Sequence, residues 1–295
     1  MDREKIFNPQ NTKEFIVGLD DLVNTMKTIN SKEFVFCGRK KLYLLCDVET
    51  IGVESKLTYD ISYLICDKEG NIYRMRNFLV REVFNDMETM QNAYYFKKYH
   101  LYIEMLNKHF YEMYDLKTII NKINEDLKEF NIDVFTAYNC QFDVSALNYT
   151  IDELKCPVKI NYPSVECVWA FASNTIMNTK RYRKWALQNQ MLTASGKYFS
   201  STAETCFRYL SEIKDISEYH LGALDIFREE LTILNTCNQY KIKADKTPNS
   251  QIWRKHKLTE EELQALAEIK AQIEKAQQVN EILENTDKQI NEILK

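Results

Sequence analysis

The chain has 295 residues, 45% of them hydrophobic and 28% charged, with a formal net charge of −4. These are ordinary values for a soluble globular protein, and the acidic balance argues against a protein that coats duplex DNA through a broad basic face. An enzyme that grips a nucleic-acid end through metal ions stays open.

The length suits one large α/β core with appendages or two modest domains. No run of 18 apolar residues occurs, so no membrane span is expected. The start, MDREKIFNPQ, lacks the apolar core of a secretion signal, so a cytoplasmic location is expected. Eight cysteines (Cys37, Cys46, Cys66, Cys140, Cys156, Cys167, Cys206 and Cys237) are scattered without a CxxC pair, and there are only four histidines. Reduced core thiols are expected, rather than a zinc site or a disulfide framework.

In chain order, residues 1–40 read as an N-terminal extension with one helix, FIVGLDDLVNTMKTI, its apolar positions three and four apart. KLYLLCDVE is a short apolar run ending in acids. YDISYLICD and NIYRMRNFLV read as strands joined by the turn KEGN. The aromatic stretch from 86 to 114 reads as a helical insertion. LKTIINKINEDLKEF puts Leu116, Ile119, Ile120, Ile123, Leu127 and Phe130 on one helical face. VFTAY is a strand, and FDVSALNYTIDEL opens the next helix. Residues 164–192 read as helical. LTASGKYFSS carries a hairpin or loop signal, and Ser201 with Glu204 forms a capping-box pattern before the helix TCFRYL. HLGALDIFREELTILNTCNQY is a further helix. Residues 241–257 read as a basic linker, and a second capping box, Thr259 with Glu262, starts a long C-terminal helix with an imperfect heptad seam. This gives three regions: 1–40, a core at 41–240, and a linker and helix at 241–295. The expected class is α/β, a mixed sheet flanked by helices.

Three acidic elements stand out. The run YLLC delivers Asp47 and Glu49, two residues apart, to one face of a strand end. Paired carboxylates there suit a hard cation, since Mg²⁺ and Mn²⁺ favour oxygen ligands. A lone D-x-E also occurs in solvated turns, so its apolar lead-in and the following Thr50 and Gly52 matter. In the second element, AYNCQFDVSAL, Asn139 lies where a strand ends and Asp143 in the first turn of a helix, where it would also complement the helix dipole. The third, HLGALD, spaces His220 and Asp225 five apart, about 140° round a continuous helix. Both reach one site if His220 lies in the preceding loop or the first turn of the helix.

As an ordered set, DVETIG, NCQFDVSAL and HLGALD resemble the DEDDh branch of the DnaQ-like exonucleases, which includes proofreading subunits, RNase T and oligoribonuclease. The resemblance covers about residues 41–240, and the aromatic insertion is more similar to phage and prophage members. Tyr219 lies six before Asp225 and His220 five before it, which is the spacing of the histidine branch rather than of its tyrosine sister. Ile51 departs from the Thr or Ser often found in the first motif.

The resemblance implies an RNase H-like fold and a 3′→5′ exonuclease acting on single-stranded DNA or RNA 3′ ends in replication or repair, with two Mg²⁺ or Mn²⁺ ions. Asp47, Glu49, Asp143 and Asp225 would hold the metals, Asp47 bridging both, and His220 would be the general base. Thr50, Asn139 and Phe142 would contact the terminal nucleotide, Phe142 by stacking if it faces the cleft. Lys197, Tyr198 and Phe199, with Arg181, Arg183 and Lys184, are further strand contacts to set against a plain solvated loop. Competing expectations are an oligoribonuclease-like exoribonuclease and a catalytically silent nucleic-acid-binding protein. The C-terminal helix would serve a homodimer, dock on the core, or bind a replication or repair partner.

Overall fold

The computed structural model of the chain describes residues 12–32, 40–213 and 219–293. These divide into two compact units: Met1–Met177 with Ser201–Ile252, and Asn178–Ser200 with Trp253–Lys295.

The first unit opens with α1 (Thr12–Asn30), followed by β1 (Leu42–Thr50), β2 (Thr58–Asp67) and β3 (Ile72–Val80). Three helices follow, α2 (Arg81–Phe84), α3 (Met87–Met90) and α4 (Tyr99–Asn107), then β4 (Glu112–Tyr114), α5 (Leu116–Glu129), β5 (Val134–Ala137), α6 (Cys140–Glu153), β6 (Ser164–Cys167) and α7 (Val168–Asn174). In the second unit lies α8 (Lys180–Gln188). The first resumes with α9 (Ala203–Ser211), α10 (Gly222–Asp225), a π-helical segment (Ile226–Glu230) and α11 (Leu231–Asn238), and the second ends on α12 (Glu260–Ile293).

Six strands form one mixed sheet in the order β4-β3-β2-β1-β5-β6. β1, β2 and β3 are antiparallel neighbours, whereas β5 and β6 continue beyond β1 in parallel, and β4 runs parallel to β3. This is an α/β architecture with helices flanking the sheet. Every residue of β2 is buried and β1 nearly so. Strands covered on both faces read as continuous apolar runs rather than alternation, which is why YLLC carried so clear a signal.

Local chemistry explains most elements. The β2–β3 hairpin turns at KEGN as expected: the Asp67 carboxylate accepts from the amides of Glu69 and Asn71, and Gly70 takes φ 82°. On α5, Asp115 caps through the Thr118 amide, and Leu116, Ile119, Ile120, Ile123 and Leu127 are buried. Beside them the buried Asp126 takes Tyr63 Oη at 2.8 Å and Arg76 Nε at 3.2 Å. A charge so placed is tolerable only when paired, and it ties α5 to β2 and β3. α1 packs on β3, burying Leu19, Leu22 and Val23. The Asn30 side chain exchanges two hydrogen bonds with the Met75 backbone, as a strand neighbour would.

Three expectations are corrected. β4 lies in the stretch from 86 to 114 and β6 in that from 164 to 192, both read as helical. At three and four residues these strands are too short to show alternation, and they exist because neighbouring strands offer unpaired edges. The cap of α9 is Thr202, whose hydroxyl accepts from the Thr205 amide, rather than Ser201. The chain's entry angle decides between adjacent hydroxyl residues. Within the basic segment after 240, Lys246 O accepts from the Cys167 amide, and Lys246 Nζ pairs with Glu166 at 3.1 Å.

In the second unit, Thr259 and Glu262 form the expected capping box, each side chain accepting from the other's amide. Arg183 of α8 grips the Glu262 carboxylate through Nε at 2.7 Å and Nη2 at 2.5 Å. Leu266 is buried, but Ile273, Val279 and Leu283 further along α12 are exposed. Seven cysteines are free; Cys37 lies outside the described residues. No described helix is long and apolar enough to cross a membrane.

Candidate active site

β1 carries Asp47 and Glu49 to its carboxyl end, opposite Ser62 and Asp60 of β2, before a register shift at Thr50. On the other side β5 ends at Ala137. Asn139 then takes a left-handed conformation, φ 67° and ψ 46°, which turns the chain sharply into α6. Asn tolerates that region better than most residues. The turn brings Asp143, in the first turn of α6, onto the same cleft as Asp47 and Glu49 of β1.

Residues 219–225 close the site. His220 lies before the helix, with φ 49°, which satisfies the condition that its spacing from Asp225 imposed. Asp225 accepts from the amides of Tyr219 and Leu221, each at 3.0 Å, so the carboxylate brackets the histidine's backbone. The His220 ring stacks on Tyr95, centroids 4.2 Å apart and planes 11° from parallel. Lys98 Nζ donates to Tyr219 O. Gly222 donates to Asp60 Oδ2 at 3.1 Å, and a Cβ there would meet Asp47 O, Asp60 Oδ2 and Ser62 Cβ, each at 3.3 Å. The backbone needs that close approach, and glycine permits it.

The result is an open cleft of about 670 Å³, lined by Asp47, Glu49, Thr50, Asn139, Phe142, Asp143, His220 and Glu230, with Tyr94, Tyr95, Tyr138 and Trp169 on its walls. Asp225 sits just behind this lining, 3% exposed. Ligand atoms of Glu49, His220 and Asp225 lie within 4.8 Å of one another. Asp47 and Asp143 share the cleft without joining that trio.

Electrostatics define its character. Burial pushes the Asp47 carboxyl well above the usual range, and Glu230, Asp143, Glu49 and Asp225 add like-charge repulsion. Burial also raises Asp143, against hydrogen bonds from its own amide and that of Val48. His220 is pushed down to about 4 by burial and by Lys98, which leaves the imidazole neutral near pH 7. Among the described residues lining the cleft there is no Lys or Arg. An oxygen-rich donor set with one imidazole and no internal counter-cation fits a divalent ion.

The cleft holds Thr50, Asn139 and Phe142 and adds residues that the sequence did not single out. The amides of Ile51 and Gly52 donate to Leu57 O and Ser55 O, and the Thr50 hydroxyl donates to Gly52 O, so these groups serve the turn first. Phe142 is half-buried and lines the cleft, so it is not simply a core aromatic. Glu230 went unnoticed in the sequence because, five residues after Asp225, it should face away on an α-helix. The i→i+5 bonding of the π segment closes that step to about one turn. Its carboxylate accepts from the Tyr138 amide at 3.3 Å. Tyr95 and Trp169 had no local signal.

Compared with known proteins, the chain matches no family model and no curated relative.

Proposed function

We propose that the protein is a divalent-metal-dependent 3′→5′ exonuclease on an RNase H-like core, hydrolysing phosphodiester bonds at single-stranded nucleic-acid 3′ ends. The observation that carries the reading is the convergence of Asp47, Glu49, Asp143, His220 and Asp225, from three distant stretches of chain, on one cleft without a lining cation. The sheet supports it: three antiparallel strands followed beyond β1 by two parallel ones is the arrangement expected of such a core, with β4 added at the edge.

Glu49 and Asp225 with Asp47 would hold one ion, and Asp143 would support a second. Bound there, such ions supply an activated water and neutralise charge on the phosphate oxygens. The chain's own residues supply the rest. Neutral His220 accepts a proton from the attacking water at an imidazole nitrogen. Tyr95 holds that ring in plane, and Asp225 fixes the backbone on either side of it. Phe142, Tyr138 and Trp169 offer aromatic surface to the terminal base. Glu230 holds the Tyr138 amide and adds negative charge beside Asp47.

The test is incubation of 5′-labelled DNA and RNA oligomers, with free or blocked 3′ ends, in Mg²⁺ or Mn²⁺. Shortening from a free 3′ end is expected, and Asp47→Asn should reduce it at least a thousandfold, roughly the loss of 4 kcal/mol of barrier lowering. An inactive wild type, or an Asp47→Asn protein with near-normal turnover, would overturn the proposal.

A further inference from the structure

The second unit carries a feature that the cleft chemistry does not use. Residues 178–200 and 253–258 contain Lys180, Arg181, Arg183, Lys184, Lys197, Arg254, Lys255 and Lys257, and no carboxylate. With 43 acids in 295 residues, these 29 positions would ordinarily hold about four. In a chain of net charge −4, this is a local reversal of sign.

The fold gathers these cations on one body. At one end the bridge Tyr198↔Lys257, with Phe199 N donating to His256 O and Leu258 N to Lys197 O, zips the 192–199 hairpin to the 253–258 segment. At the other, Arg183 Nη2 donates to Lys257 O and joins α8 to the same segment. Lys180, Arg181 and Lys184 lie within a 100° arc of α8, and all three are exposed, as are Lys197, Arg254, Lys255 and Lys257. In sequence, the second unit's carboxylates begin at α12, where Glu262 is held by Arg183 and the Thr259 amide, and acids in a first helical turn complement the helix dipole.

Two expected contacts drop out. Phe199 is 1% exposed, and Arg183 is engaged with Glu262, so both build the surface rather than present it. Tyr198 and Trp253 are partly exposed, their rings edge to face at 4.9 Å, and Arg254 lies over the indole at 5.4 Å. Cations interleaved with aromatic faces suit a phosphate backbone carrying unpaired bases. A lipid surface suits this face less well, because none of the large exposed hydrophobic residues falls in these segments.

We infer that this cationic face of the second unit is an accessory site for the phosphodiester backbone of single-stranded nucleic acid. It needs neither metal nor the acidic cleft, so its fate is separable from that of the proposed hydrolysis.

The experiment is fluorescence anisotropy of a 5′-labelled, single-stranded oligonucleotide with full-length protein in EDTA, titrated across salt concentrations. Two triple variants are compared with wild type: K180Q/R181Q/K184Q and R254Q/K255Q/K257Q. Circular dichroism and hydrolysis of a small phosphodiester, thymidine 5′-(p-nitrophenyl phosphate) with Mn²⁺, run in parallel. Wild type should bind with a steep negative salt dependence. Each variant should bind at least about tenfold more weakly at roughly 50 mM salt, with a slope shallower by about 2, as expected for three lost contacts to a single strand. Lys→Arg exchange at 180 and 184 should preserve binding. No wild-type binding, unchanged slopes in both variants, or binding to phosphatidylserine vesicles without binding to oligonucleotide would each overturn the inference. Binding without ester hydrolysis would retain this inference and count against the cleft reading alone.

Discussion

Asp60 offers a sharp test of how the cleft is held together. It is fully buried, and its carboxylate accepts from Ser62 Oγ at 2.8 Å on one oxygen. The other oxygen accepts from Tyr111 Oη at 2.8 Å, Tyr102 Oη at 2.9 Å and Gly222 N at 3.1 Å. Burial pushes the carboxyl up to about 6, although these hydrogen bonds pull it back down. An unfolded Asp titrates near 3.9. The native state therefore holds this proton more tightly, so stability from this group is complete below pH ~3.9 and declines as pH rises through about 6. Two pH units correspond to about 3 kcal/mol. Asp60→Asn keeps an acceptor for both tyrosines and Gly222, turns its amide toward Ser62, and cannot ionise. Urea unfolding of both proteins from pH 4 to 7.5 should then show the wild type losing about 3 kcal/mol relative to the variant across the interval. Contributions from Asp47 and Asp143 should largely cancel in the difference. A difference that stays flat with pH would refute the reasoning. Asp60→Ala, which strands four buried donors and likewise cannot ionise, should cost about 3–5 kcal/mol near pH 4, and the cost should shrink as pH rises through about 6.

Mn²⁺ at about a hundred times its dissociation constant should stabilise the wild type by roughly 2.7 kcal/mol, read as a rise in Tm by scanning fluorimetry. The rise should vanish in Asp47→Asn and Glu49→Gln; equal shifts in all three would count against the metal assignment. Tyr95→Ala should lower kcat about tenfold, matching the loss of an aromatic pair worth 0.5–1.5 kcal/mol, with KM within about twofold and near-normal turnover in Tyr95→Phe. Equal losses in both variants would mean that stacking on His220 is not what matters. Thr259→Ala should cost roughly 1 kcal/mol at the start of α12, seen as about fivefold faster amide exchange in its first turn with the cleft unaffected.

What the chain's order of residues determined by itself is largely local. The apolar run before Asp47 marked a buried strand with acids at its end, and the Asp67–Asn71 turn announced its hairpin. The stripe from Leu116 to Leu127 marked α5, and Thr259 with Glu262 marked the start of α12. Each rests on spacing or capping over a few positions, where one stretch contains all the partners. Tertiary structure decided what no single stretch contains. β4 and β6 exist because neighbouring strands left edges to pair. The left-handed turn at His220 follows from Asp225 bracketing its backbone and from Gly222 seated against Asp60. Glu230 reached the cleft through a π segment whose register residue types did not announce. Tyr95 came from a separate stretch to stack on the histidine. The acids were legible because a strand pleat and a helix turn orient side chains within a few residues. Their convergence, and that of the basic face from two segments over fifty residues apart, depended on sheet order and on hydrogen bonds between distant parts of the chain.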